Sequence, residues 1–159
     1  MSKYGFAIKS AADLLEKAKH DAERFNREGN DAVTWSYAAM DYIQTAWHLA
    51  DWIASESGES VTKIRSDIDA HCSGMFMLLG DIACGQKHWH RDGKNNPPQV
   101  AAKTTAPPLK IGLSALGLAA AYHESPYVID KHGRKVYAQI LIRDTLEAIT
   151  QFVSDGGMK

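Results

Sequence analysis

Residues 31–55, DAVTWSYAAMDYIQTAWHLADWIAS, decide the fold. Val33, Trp35, Tyr37, Met40, Tyr42, Ile43, Trp47, Leu49, Trp52 and Ile53 fall on every side of a helical wheel, and three of the four tryptophans lie here. A helix that is apolar all round is normally the central one of a bundle. Asp31 is placed to cap it, and Ser57-Gly58 to end it. This stretch is therefore expected to be the most buried element.

Working outward, residues 9–28 carry Ala11, Leu14, Leu15, Ala18, Ala22 and Phe25 at helical spacing with charges between them. Ser10 is the candidate N-cap, with Asp13 in the first turn and Gly29-Asn30 as the stop. Ser60 is placed to cap a short helix over 61–70. A denser apolar run, Met75 to Ala83, predicts a buried helix over 73–90 that Arg91-Asp92-Gly93 breaks. Residues 92–109 form a Pro-rich loop, because Pro97-Pro98 and Pro107-Pro108 cannot continue a helix. The segment 109–123 is Gly- and Ala-rich and reads as either strand or helix. Pro126 to Asp130 and Lys135 to Ala138 flank Lys131-His132-Gly133-Arg134, a hairpin signal with Gly in the turn. Ile140, Leu141, Leu146, Ile149 and Phe152 restore helical spacing over 139–153, closed by Gly156-Gly157. The expected fold is one all-α bundle of four or five helices over 1–159, with a small C-terminal β-hairpin.

The 159 residues, 45% of them apolar, suit one domain with its own core. A net charge of −1 supplies no global field for nucleic acid or anionic membrane. The charge is uneven: residues 31–70 hold seven acids against Lys63 and Arg65, a net −5, whereas 71–110 hold five bases against Asp81 and Asp92, a net +3. Such asymmetry is the ordinary mark of a solvated face. Cys72 and Cys84 form no CxxC pair and read as buried free thiols in a reducing compartment. The N-terminus MSKYGFAIKS has no signal-peptide core, and no apolar run is long enough to span a membrane. A cytoplasmic location, in a cell or an infected host, is expected.

Two strings could carry chemistry. In Trp47-His48-Leu49-Ala50-Asp51-Trp52, His48 and Asp51 are three apart and share a helical face. A carboxylate beside an imidazole orients the ring and favours its charged form, which suits acid–base work. The plainer reading is a satisfied polar pair within an aromatic bundle. In the second string, Gly80 to His90, Lys87 and His88 end a predicted helix. With His90, Arg91, Lys94, Lys103 and Lys110 they make a basic patch beside Trp89, suited to single-stranded nucleic acid. The plainer reading is cations at a helix C-terminus. His48, Asp51 and His88-x-His90 are also conceivable metal ligands. However, no HExxH, zinc-finger spacing, phosphate-cradling loop or hydrolase motif is present, so neither metal nor cofactor is expected.

The strings AWHLADW (46–52) and DIACGQKH (81–88), with the hairpin YVIDKHGRKVYA (127–138) and the helix after it, resemble small bacterial and phage proteins related to the HEPN helical-bundle superfamily. The resemblance covers roughly residues 30–155. It implies a toxin–antitoxin or phage-defence component, in many members a dimeric, metal-independent RNA endonuclease. RNA carries its own 2′-hydroxyl nucleophile, so an acid–base group and a charge stabiliser suffice. The superfamily's signature is an Arg, four to six residues, then a His. Carried over, His88 takes the place of the His, with Lys87 beside it. The Arg is then sought near Gly80, where there is none. One literal match exists, Arg65 followed after five residues by His71, in the acidic half of the chain.

The candidate catalytic residues are thus His48, Asp51, Lys87 and His88, and the candidate RNA contacts His90, Arg91 and Lys94. His48 and Asp51 are expected to meet Lys87 and His88 around a cleft, with residues 91–110 as its RNA-binding lip, in a homodimer. The rival is an inert binding module, a phage accessory or antitoxin-like protein with a protein partner. A metal-dependent bundle enzyme is the third reading.

Overall fold

Ser10 opens the first helix as its spacing predicts. Its backbone is extended and its Oγ accepts from the Asp13 N–H at 3.1 Å. The Asp13 carboxylate accepts in return from the Lys9 N–H and the Ser10 hydroxyl, each at 2.9 Å. This reciprocal cap serves donors that the helix leaves unpaired. The computed structural model describes residues 8–27, 32–87, 127–130 and 132–157. Gly29-Asn30, Asp31, the Pro-rich loop 92–109 and the segment 109–123 lie outside them.

Helix α1 runs Ala11–Phe25 and buries the six apolar residues that its periodicity marks. Helix α2 runs Ala32–Ser57, 26 residues, about 39 Å. It touches each of the other four α-helices of the described residues. Its burial differs from the all-round expectation. The seam consists of Ala38, Ala39, Tyr42, Ile43, Ala46, Leu49, Ala50, Ile53 and Ala54. Trp35, Trp47 and Trp52 are only partly buried, and Tyr37 is 68% exposed. The physical reason is size. Alanines let neighbouring helices approach closely, and an indole fits better at the border, where it reaches across. Trp35 stacks on Phe25 of α1 at 6.1 Å between centroids.

Ser60 caps α3, Val61–Ala70, by accepting from the Lys63 N–H at 3.2 Å. Ile64 and Ile68 face the core. A tight turn follows, with Ser73 and Gly74 both at positive φ, and α4 runs Met75–Lys87. Strands β1 (Tyr127–Ile129) and β2 (Lys135–Tyr137) pair antiparallel, with Val128 opposite Val136. Helix α5, Ala138–Phe152, starts directly after β2 and ends in a π-turn, Val153–Gly157. The architecture is an all-α bundle with a C-terminal hairpin. No described helix is long and apolar enough to cross a membrane.

Among the described residues, two polar clusters sit inside the bundle. The Tyr42 hydroxyl lies 2.9 Å from Thr145 Oγ1, and Thr145 donates onward to the Leu141 carbonyl. Asp21, which sequence spacing did not single out, is 3% exposed and accepts from Lys17 and Thr45. Pairing of this kind is what makes a buried carboxylate tolerable.

Candidate functional site

His48 and Asp51, one turn apart on α2, do pair: His48 Nδ1 lies 3.2 Å from Asp51 Oδ2. Neither is buried; their side chains are 53% and 41% exposed. The third member comes from α3. Arg65 Nη2 donates to Asp51 Oδ1 at 2.8 Å, and the Arg65 guanidinium lies over the Trp47 ring, 3.8 Å from its centroid. Arg65 is therefore stacked on one side and tethered at one edge, an arrangement suited to a guanidinium rather than an ammonium. Its Nε is enclosed and has no hydrogen-bond acceptor.

Trp47 is itself held by α4. Its ring centroid is 5.5 Å from that of Phe76, and its edge rests on Gly80. A Cβ at Gly80 would meet the indole carbons at 2.3, 2.4 and 2.7 Å. The indole thus fills the space that a side chain at position 80 would need.

Trp47 and Arg65 help to line a cleft of about 740 Å³, walled by α3, α4 and the hairpin turn. Ser66 and Asp69 continue the Arg65 wall; Met75, Met77, Asp81 and Cys84 come from α4; Asp130, His132 and Arg134 come from the turn. Asp69 Oδ1 accepts from the Met77 N–H at 3.0 Å and so caps α4. Asp130 organises the turn. It accepts from the backbone N–H groups of His132 (2.9 Å) and Arg134 (2.8 Å) and from Arg134 Nε (2.6 Å). Its own shielding from water raises the carboxyl's pKa, but those three donors outweigh this and hold it below the ordinary value. Cys72 is buried, which pushes its thiol up to about 11. Cys84 is half-buried in the cleft wall, and both cysteines are free.

The outcome for the candidate residues is mixed. His48 and Asp51 pair with each other, and Asp51 also binds Arg65, but neither belongs to the cleft wall. Lys87 closes α4. Its side chain lies outside the described residues, as do His88, His90, Arg91 and Lys94, and so does the expected meeting of the two strings. Sequence reasoning passed over Arg65, whose only signal was the spacing to His71. It also missed Asp130 and Arg134. An Asp immediately before a Lys-His-Gly-Arg turn, a common side-chain-to-backbone turn former, was the available clue.

No family model, curated protein or solved structure matches this chain.

Proposed function

We propose that the chain is a HEPN-like bundle working as a non-catalytic binding module, with the cleft between α3, α4 and the hairpin turn as its recognition site. The observation that carries this reading is Asp51. One oxygen is engaged by His48 and the other by Arg65. A carboxylate used on both sides holds its neighbours in place, and it stands outside the wall where a ligand would sit. The cleft's charges also suit a binding role better than RNA chemistry. Among the described residues, Asp69, Asp81 and Asp130 line it with Arg65 and Arg134, whereas a phosphate chain calls for an excess of cations. A homodimer and a cytoplasmic setting, in a defence or toxin–antitoxin system, complete the reading.

Metal-independent RNA cleavage is the second reading. It is favoured by one observation: the Arg of the Arg65-x5-His71 match stands at the cleft, oriented by Asp51 and Trp47. The deciding experiment incubates labelled single-stranded RNA with excess protein and chelator, and with the His88→Ala, His48→Ala and Arg65→Ala variants. Intact RNA throughout is the expected result. Cleavage that disappears in any one variant would overturn the binding reading. Light scattering at micromolar concentration tests the dimer, and a monomer there would remove that part.

A further inference from the structure

We draw no further inference here: the strongest candidate, the partly exposed face of the β-hairpin where Lys135 Nζ lies 3.9 Å and 4.9 Å from the ring centroids of Tyr127 and Tyr137, already has its own lysine on the aromatic rings, and nothing in the structure shows what partner would cover it.

Discussion

Replacing Gly80 by alanine sets two physical effects against each other, and the structure decides the sign. Gly80 lies inside α4, where alanine is intrinsically favoured over glycine by about 1 kcal/mol. Propensity alone therefore makes Gly80→Ala stabilising. The new Cβ, however, would sit 2.3 Å from the nearest indole carbon of Trp47, whereas carbon atoms rest about 3.5–4.0 Å apart. Trp47 would have to move by more than about 1 Å. It is in contact with Phe76 and carries the Arg65 guanidinium over its ring. Overpacking of this kind costs about 1–3 kcal/mol, or somewhat more where backing is rigid. The clash is the larger effect, and Gly80→Ala is expected to be destabilised by about 1–2 kcal/mol. For a chain of 159 residues that lowers the melting temperature by about 2–8 °C. Urea unfolding followed by circular dichroism measures the change. A double-mutant cycle with Trp47→Leu isolates its cause, because removing the indole should relieve much of the penalty. A Gly80→Ala protein more stable than the parent by about 1 kcal/mol would refute the close seat of Trp47 on α4.

Asp51→Asn removes the carboxylate shared by Arg65 and His48 and should cost about 1 kcal/mol in urea unfolding, whereas His48→Ala at the exposed end should change stability by less than about 0.5 kcal/mol. Ser10→Ala deletes the α1 cap and should cost about 1 kcal/mol by the same measurement. The Asp130 carboxyl titrates lower in the folded chain than in the unfolded one. Its contribution is therefore present above the ordinary carboxylate pKa of about 4 and is lost as pH falls through the folded value; an acid titration of stability should show that loss shrinking in Asp130→Asn. Cys72 titrates higher in the folded chain, at about 11 against an ordinary 9.0. Its contribution is complete below pH 9.0 and declines up to about 11, and an alkylating reagent at neutral pH should label Cys72 only on unfolding.

Local patterns were legible and long-range ones were not. The α1 face, the Ser10 and Ser60 caps, the bounds of α3 and the hairpin follow from residues within a few positions of each other. The burial of α2 was overstated, because counting apolar residues does not reveal which neighbour covers each one. Alanine scores as weakly apolar yet forms the seam, while tryptophan scores strongly and sits at its border. The same limit shaped the site. His48 and Asp51 are three positions apart, so their pairing is visible in the sequence. Asp51 and Arg65 are 14 positions apart and meet only because α3 turns back against α2. Arg134 reaches the cleft through the hairpin, more than sixty positions from Arg65, and no periodicity encodes that approach.

The joint between hairpin and last helix has a mechanical consequence. β2 ends at Tyr137 and α5 begins at Ala138, with no residue between them. Val136 and Ala138 on either side of the joint are both buried. A junction without slack ties the orientation of the β2 arm to that of α5. Each hairpin arm is three residues, about 10 Å, so it acts as a short lever clamped to the axle of α5. A force on the turn at Arg134 is therefore passed to α5, whose buried face carries Leu141, Thr145 and Ile149.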